Sequence, residues 1–299
     1  MEAKIQAFLK FLEVDKGYTA NTIAAYQNDL NQFFQYLQSE DAENGITAWS
    51  DVSRKVITAY VQRLKDSGDY VSSTIARKVA ALKSFFHFLV AEGEIREDPT
   101  IALDSPKVKK RLPKAISPEE IERLLEAPAS ESGPKGQRDS ALLAVLYASG
   151  MRVTELVSLD ISDVKIDEAG RYSVRVRSKK NNSKDRVIPL DPSAAQVLKE
   201  YIEKGREQLL VDPNTEALFL NNRGRRLTRQ GLWLIIKHYV EAVGISTEVT
   251  PHTLRHSFAA HKLSQGKSLQ DIQKLLGHAN ISTTQIYAHL AQEKKKGSH

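Results

Sequence analysis

Imidazole, guanidinium and phenol groups lie close together near the C-terminus, in the segments PHTLRHSF, LLGHANIST and TTQIYAHL. They belong to His252, Arg255, His256, His278 and Tyr287. A guanidinium offers forked donors to phosphate oxygens, and an imidazole transfers protons near neutral pH. A phenol, with an unperturbed pKa of about 10, becomes a nucleophile when cations or a base activate it. These groups together suit attack on a phosphodiester by tyrosine rather than by water.

The first of these segments predicts a helix that begins at Pro251, a residue type favoured in a first helical turn. His252 and Arg255 are three residues apart and share one face near the helix N-terminus, where backbone N–H groups favour an anion. Taken alone, this pattern also fits a solvated cationic edge. His252 and His256 have the spacing of a metal pair, but the zinc-protease motif needs Glu where this chain has Thr253. We therefore predict no metal site.

Composition indicates an ordinary globular protein with room for two domains. The chain has 299 residues, of which 41% are hydrophobic and 27% charged, which is typical of globular proteins. The absence of cysteine excludes disulfides and Cys-ligated metals, and it is compatible with a reducing cytoplasm. We see no signal peptide and no membrane-length apolar run, and we predict a cytoplasmic protein without a membrane anchor. A net charge of +6 gives modest support for a polyanionic partner.

The first segment, 1–103, predicts an all-α helical bundle, because apolar residues recur at helical spacing in four amphipathic stretches. Its aromatic residues follow the same spacing, so we assign them to the core rather than to base stacking. The polar face carries Arg77, Lys78 and Lys83, which are candidates for phosphate contacts. A solvated helix face is the alternative for these three residues.

A basic, proline-containing stretch follows and predicts an interdomain linker over 104–115. Prolines interrupt helices, and like charges in a short run favour an extended chain. The linker is also a candidate for lying along DNA phosphates, with a solvated hinge as the alternative. Its candidate cations are Lys107, Lys109, Lys110 and Arg111.

The second domain is predicted to span 116–296 and to be mainly helical with a small antiparallel sheet. RYSVRVRS and KDRVIPL alternate as strands do, and KKNNS between them predicts a hairpin turn. Arg152 follows a helix stop, with Glu155 three residues on and able to pair with it. ALFLNN predicts a short strand before a basic turn, in which Arg225, Arg226 and Arg229 are candidates for DNA contacts, with a solvated turn as the alternative.

These segments resemble the signatures of a known family. HTLRHSFAAHKL, LLGHANISTTQIYAHL and the upstream LLAVLYASGMRVTELVSL are similar to the tyrosine recombinases (phage integrase family), in wording most similar to the Xer-type site-specific recombinases. The pattern has many residues at fixed gaps, and the domain layout matches over nearly the whole chain. The resemblance implies an N-terminal SAM-like core-binding domain and a C-terminal catalytic domain of the integrase fold.

The resemblance also implies catalytic roles. Tyr287 would be the nucleophile, and His252 would accept its proton. Arg152, Arg255 and His278 would stabilise the phosphate, with Glu155 in support. The general-acid lysine of the family sits at the hairpin turn, where this chain is about two residues longer than the usual Xer form; Lys179 aligns best, and Lys180 and Lys184 are its rivals.

The implied reaction joins DNA to Tyr287 as a 3′-phosphotyrosine, passes through a Holliday junction and needs no cofactor. The implied partners are a double-stranded recombination site, on two duplexes, and three further subunits that are either copies of this chain or a paralogous recombinase. An activating protein is a further implied partner. Only twelve residues follow Tyr287, which is short for a Xer tail, and the final 297–299 resemble a tag remnant. Chromosome-dimer resolution is the favoured role. A mobile-element integrase or resolvase, a type IB topoisomerase-like enzyme and a non-catalytic DNA-binding protein are the alternatives.

Overall fold

The structure, a computed structural model, describes residues 1–39, 46–104, 115–178, 185–278 and 280–287. The chain divides into two compact units, Met1–Lys110 and Arg111–His299. The predicted architecture is confirmed: a helical first unit and a mainly helical second unit with one small antiparallel sheet. The predicted linker lies almost wholly outside the described residues, as do 297–299, so the predicted domain boundaries stay predictions.

In its described residues, the first unit contains four α-helices that bury their apolar faces against one another. Side-chain caps begin two of them: Thr19 Oγ1 accepts from the amide of Thr22 at 3.3 Å, and Ser53 Oγ accepts from that of Val56 at 3.4 Å. These caps satisfy N–H groups that have no partner within the helix. The four helices are α1 Glu2–Val14, α2 Ala20–Leu37, α3 Arg54–Asp66 and α4 Ser72–Ala91.

Aromatic residues form the centre of this first core. Phe8, Phe33, Phe85 and Phe86 are fully buried, and Trp49 packs edge-on against Phe85 with ring centroids 4.8 Å apart. Edge-to-face pairs at such distances add to the stabilisation from burial alone. The assignment of the aromatic residues to the core, rather than to base stacking, therefore agrees with the structure.

Lys78 is a correction to the predicted DNA-binding surface. Its side chain is 2% exposed, and its ammonium donates to Asp29 Oδ1 at 3.0 Å and to the side-chain carbonyl of Gln32. A charge buried this far needs such partners, and the group is not accessible to a phosphate. Arg77, on the same helix, pairs with Asp29 from the surface and remains half-exposed. Lys83 is partly buried.

The second unit is mainly helical. Between α8 and α9 the chain continues through one π-helical turn, Tyr201–Gly205. The helices are α5 Pro118–Glu126, α6 Pro134–Ser149, α7 Val153–Val157, α8 Pro192–Glu200, α9 Arg206–Leu209, α10 Arg229–Ala242, α11 Pro251–Ser264 and α12 Leu269–Leu276. Residues 282–287 are also helical.

A three-stranded antiparallel sheet completes this unit, in the order β1-β2-β3. Its strands are β1 Val164–Ile166, β2 Tyr172–Val176 and β3 Arg186–Pro189. The predicted hairpin is β2–β3, with buried Val174 opposite buried Ile188. Strand β1 was not predicted, and within the described residues ALFLNN forms isolated bridges in place of the predicted strand.

Gly150 ends α6 and lets it pack closely against two other helices. Its φ of +58° is a left-handed conformation that glycine adopts without a steric penalty. A Cβ at this position would lie 2.4 Å from Cδ1 of Phe258 on α11 and 3.0 Å from Cδ2 of Leu276 on α12. The close approach therefore depends on glycine.

Within the ranges described, no helix is both long and apolar enough to cross a bilayer.

The buried charge pair of the first unit gives a stability prediction. We expect Asp29→Ala to lower the free energy of unfolding by about 3–5 kcal/mol, because it leaves the Lys78 ammonium buried without its counter-charge. Asp66→Ala is the matched control, since Asp66 is exposed and accepts a hydrogen bond from Gln62 one turn earlier on the same helix. Urea unfolding followed by Trp49 fluorescence, in a Trp233→Phe background, reports on this unit. Equal losses in the two variants would contradict the prediction.

A second prediction concerns Gly150. Gly150→Ala should destabilise the protein by about 1–2 kcal/mol from left-handed strain, and by about 1–3 kcal/mol more from overpacking against Phe258 and Leu276. Gly170→Ala is the control, because Gly170 has a φ of +73° but no atom within 4 Å of the added Cβ. Thermal unfolding followed by circular dichroism measures both, and the prediction fails if Gly170→Ala is as destabilising as Gly150→Ala.

Candidate active site

Arg255 lies in the second turn of α11, where its guanidinium is turned inward. Thr250 caps the helix through the amide of Thr253 at 3.2 Å. The guanidinium, with the residue only 5% exposed, donates from Nη1 to the Gly150 carbonyl and from Nη2 to the Leu276 carbonyl, each at 2.7 Å. Both carbonyls lie at helix C-termini, where they lack intrahelical partners. Two helix ends thus fix the position of this cation.

Arg152 follows Gly150 closely and is placed at the start of α7. Its Nη2 donates to the Gly277 carbonyl at 3.2 Å, and its Nη1 donates to Glu155 Oε1 at 3.1 Å. The Glu155 carboxylate also accepts from the Arg152 amide at 2.7 Å. The predicted pair is present, and the half-exposed Arg152 side chain stays accessible to an anion.

Arg186 is a member of this cluster that sequence reasoning treated only as part of a strand. It donates from both terminal nitrogens to the Glu155 carboxylate, at 3.0 and 2.8 Å, and from Nε to the Leu275 carbonyl at 3.0 Å. A signal was present: residues two apart in a strand share a face, and Ile188 is buried. A cation on the buried face of a strand requires a specific partner.

The end of α12 brings the arginines together. The carbonyls of three consecutive residues, Leu275, Leu276 and Gly277, accept from Arg186, Arg255 and Arg152, respectively. A helix C-terminus carries a partial negative charge, which attenuates the repulsion between clustered cations. Segments that are distant in sequence thereby contribute guanidinium groups to one place.

His278 follows this helix end directly. Its Nδ1 is 2.9 Å from the buried hydroxyl of Thr284, so Nε2 is the ring nitrogen that faces away from that contact. Burial, together with the charges of Arg255 and Arg152, lowers the pKa of His278 to about 4. The ring is therefore neutral at physiological pH in the protein without DNA.

Tyr287 lies in the helical segment 282–287 and is 2% exposed. Its hydroxyl is 2.7 Å from Nδ1 of His256. Its ring lies 6.4 Å from the His278 ring, centroid to centroid, in a stacked orientation. His252 is exposed, with its ring centroid 6.5 Å from that of His256. The imidazole at the nucleophile candidate is thus His256, which the sequence analysis named among the chemical groups but assigned no catalytic role.

Burial and charge shift the acidities of this site. Burial raises the pKa of Tyr287, although Arg255 and Arg152 act in the opposite direction. Burial, His252 and Arg255 lower the pKa of His256 to about 4. Burial and the neighbouring Arg152 lower the pKa of Arg255 to about 10, which leaves it charged near neutrality. For Glu155, burial favours protonation, but the hydrogen bonds from Arg186 and Arg152 outweigh it and lower the pKa.

A groove of about 800 Å³ opens beside the cluster. Besides Arg152 and His278, three cationic side chains line it, from the residue after β2, from β3 and from α12: Arg177, Arg186 and Lys274. The carboxylates of Glu155 and Asp163 also line it, so the cations outnumber the anions. Such a concentration of positive charge attracts an anionic ligand. The sequence prediction did not include Arg177 or Lys274.

The basic turn before α10 is linked to the groove through Asp160, which pairs with one arginine of the turn and one of the groove lining. Arg226 donates to Asp160 Oδ1 at 2.5 Å, and Arg177 pairs with the other carboxylate oxygen of Asp160 at 3.1 Å. Arg225 and Arg229 are exposed. Of the remaining candidates, Lys179, Lys180 and Lys184 lie outside the described residues, as do Lys107, Lys109, Lys110 and Arg111. Throughout the described ranges, no group of three or more His, Asp or Glu side chains is placed to hold a metal ion.

Comparisons with known proteins agree across the chain. The phage integrase family matches residues 114–294, and the phage integrase N-terminal SAM-like domain matches residues 5–93. Tyrosine recombinase XerC of Herpetosiphon aurantiacus is 49% identical over 294 residues, covering 98% of this chain and 92% of that protein. Tyrosine recombinase XerD of Listeria monocytogenes serotype 4b is 41% identical, covering 99% of this chain and 97% of that protein.

Solved structures show the same fold. XerA recombinase is 27% identical with a TM-score of 0.53, covering 100% of this chain and 99% of that chain. XerH recombinase in a post-cleavage complex with palindromic difH is 24% identical with a TM-score of 0.77, covering 92% of this chain and 78% of that chain. The family matches span most of the chain, and the XerC and XerD relatives cover it almost entirely. The chain therefore belongs to the phage integrase family and is a tyrosine recombinase of the Xer type.

Proposed function

We propose that this recombinase cuts and rejoins double-stranded DNA at a specific site through a 3′-phosphotyrosine on Tyr287. The observation that carries the proposal is the gathering of Arg152, Arg255 and His278 at the end of α12. The Tyr287 ring stacks on His278 at the same place. Cations, a neutral imidazole and a phenol here match the charges that develop during transesterification.

In this proposal, the non-bridging oxygens of the scissile phosphate lie against Arg152 and Arg255. Guanidinium groups stay charged and donate in a fork that matches phosphate oxygens. Nε2 of His278 adds a donor, because Nδ1 is engaged by Thr284. His252, exposed in the first turn of α11, presents its ring near the helix N-terminus, where anions are favoured.

The chemical step exchanges one ester bond for another. The Tyr287 Oη–P bond forms as the phenolic proton passes to an imidazole on α11, and the P–O5′ bond breaks. Lys179, which lies between β2 and β3 in the sequence, protonates the leaving 5′ oxygen. Rejoining reverses the step when a 5′ hydroxyl attacks the phosphotyrosine. The ester is conserved throughout, so the step needs neither a nucleotide cofactor nor a metal.

The cellular role we propose is resolution of chromosome dimers in the bacterial cytoplasm. Four subunits would exchange strands between two duplexes through a Holliday junction. They would be four copies of this chain, or this chain together with a paralogue, and an activating protein would be a further partner. The 41–49% identity to XerD and XerC over nearly the whole chain supports this role. The lambda integrase and transposon Tn1549 integrase structures are only 20% identical and share the fold alone.

Tyr287→Phe tests the covalent mechanism. A duplex is selected from a random-sequence pool by binding to the Tyr287→Phe protein and is then nicked near the cleavage position, so that the short fragment diffuses away. Wild type should form a slower band on a denaturing gel, because the protein stays attached to DNA. The variant should form none, because it lacks the nucleophilic oxygen.

The matched control for this test is Tyr239→Phe, which changes the same group on α10, where the hydroxyl bonds to Asp139 at 3.1 Å. It should retain the band. Bands in both wild type and Tyr287→Phe would refute Tyr287 as the nucleophile. Relaxation of a plasmid that lacks the selected site would favour the topoisomerase alternative.

Arg152→Lys tests the role of the forked donor. A lysine keeps the charge but cannot donate in a fork, so the single-turnover cleavage rate should fall by about 10²–10³-fold. DNA affinity should change little, because the net charge is retained. Arg171→Lys, at an exposed turn where Arg171 pairs with Asp167, is the control. A rate for Arg152→Lys equal to that of the control would contradict the phosphate contact.

A further inference from the structure

The hydroxyl of Tyr287 has one hydrogen-bond partner among the described residues, and it is not the histidine that the family pattern suggested. Nδ1 of His256 lies 2.7 Å from Tyr287 Oη, and the two ring centroids are 5.3 Å apart. Both groups are well shielded from solvent, because Tyr287 is 2% exposed and His256 is partly buried. A short hydrogen bond in such surroundings fixes the direction of the phenol.

We infer that His256 is a catalytic residue that orients the Tyr287 hydroxyl and accepts its proton as the phosphotyrosine bond forms. The inference rests on the proposed function, since it assigns a role in the same reaction. Geometry favours His256 over His252. A general base must be within hydrogen-bond reach of the proton it removes, and His256 meets that requirement, whereas His252 is exposed one turn earlier on α11.

The charges around His256 favour its neutral, proton-accepting form. On its own helix it faces Arg255 and His252, which disfavour a further positive charge. From the other elements it faces Tyr287 and His278. Burial acts in the same direction, and together these effects lower the pKa of His256 to about 4. Because a phenol is a stronger acid than neutral imidazole, the phenol donates to Nδ1, and the ring proton resides on Nε2.

The proton transfer then balances the chemical step. As the Tyr287 Oη–P bond forms, the phenolic oxygen becomes an ester oxygen and can no longer keep its proton. The proton moves to Nδ1 of His256, and the P–O5′ bond breaks with protonation of the 5′ oxygen by the general acid. The phosphate brings negative charge beside Arg255, which makes an imidazolium at His256 more favourable than before DNA binds. During rejoining, His256 returns the proton to the departing Tyr287 oxygen.

The fold couples this base to the phosphate site. His256 follows Arg255 directly, and the next residue, Ser257, is fully buried with its hydroxyl bonded to the Thr253 carbonyl. Any rotation of α11 that moved His256 would therefore also move Arg255 from its two carbonyl acceptors. Alignment of the nucleophile and alignment of the phosphate are in this way set by one turn of helix.

The test separates basicity from orientation. His256→Asn places an amide oxygen where Nδ1 was, so it keeps the hydrogen bond but cannot take up a proton near neutral pH. The substrate is a nicked duplex, selected as above, with a sulfur in place of the bridging 5′ oxygen, because a thiolate leaves without a general acid. We expect His256→Asn to slow formation of the covalent complex at pH 7 by about 10²-fold or more. DNA affinity should be unchanged.

The pH profile excludes a purely structural role. The wild-type rate should fall as the solution is acidified, because a protonated imidazole cannot accept the phenolic proton; His256→Asn should lack that acidic limb. His238→Gln, which alters an exposed imidazole paired with Glu131, should match wild type throughout. The inference is overturned if His256→Asn keeps the acidic limb and a rate within about threefold of wild type. If wild type forms no covalent complex on any selected duplex, the proposed function itself fails.

A second readout needs neither DNA nor a variant. Nitrogen-15 NMR of the histidines in the full-length protein at pH 7 should show His256 neutral, with Nδ1 unprotonated and Nε2 protonated. The same spectra should show it remaining neutral to about pH 4. A proton on Nδ1 at pH 7 would overturn the inference, since that nitrogen could then only donate to the phenol.

Discussion

The catalytic unit depends on an attraction between arginine side chains and the unpaired carbonyls at the end of α12. Three consecutive carbonyls hold Arg186, Arg255 and Arg152, which come from a strand, a helix and a turn far apart in the sequence. Without acceptors of this kind, cations so close together would repel one another. Glu155 offsets part of the remaining charge, and one carboxylate against three guanidinium groups leaves the cluster positive.

The sequence predicts much of the fold, because its signals are local. Helical spacing, the alternation in β2 and β3 and the aromatic residues of the first core all follow from residue order alone. The failures have tertiary causes. Lys78 has the sequence pattern of a surface cation but pairs with Asp29 on a neighbouring helix. Among the described residues, ALFLNN pairs through isolated bridges, because the backbone it meets lies in loops and not in a strand.

For the candidate site too, local sequence signals predict some features and tertiary contacts determine the others. The motifs identify Arg152, Arg255, His278 and Tyr287, which the structure brings together around α12 and the segment that follows it. The motifs do not show which further residues contact these groups. Strand spacing places Arg186 on the buried face of β3, but its partners, Glu155 and the Leu275 carbonyl, are known only once the strand is packed against α12. The choice of His256 over His252 likewise depends on which ring reaches the Tyr287 hydroxyl. Pairings of that kind are properties of packing, not of spacing.

The acceptor carbonyls of Leu275, Leu276 and Gly277 lie late in the chain, and Tyr287 lies later still. A ribosome synthesises the arginines first and the groups that hold them last. Until the end of α12 has emerged and docked, a nascent chain lacks the three carbonyl acceptors that gather the arginines. Under the proposed function, synthesis from N- to C-terminus therefore adds the nucleophile last, after every other group of the site that the structure describes.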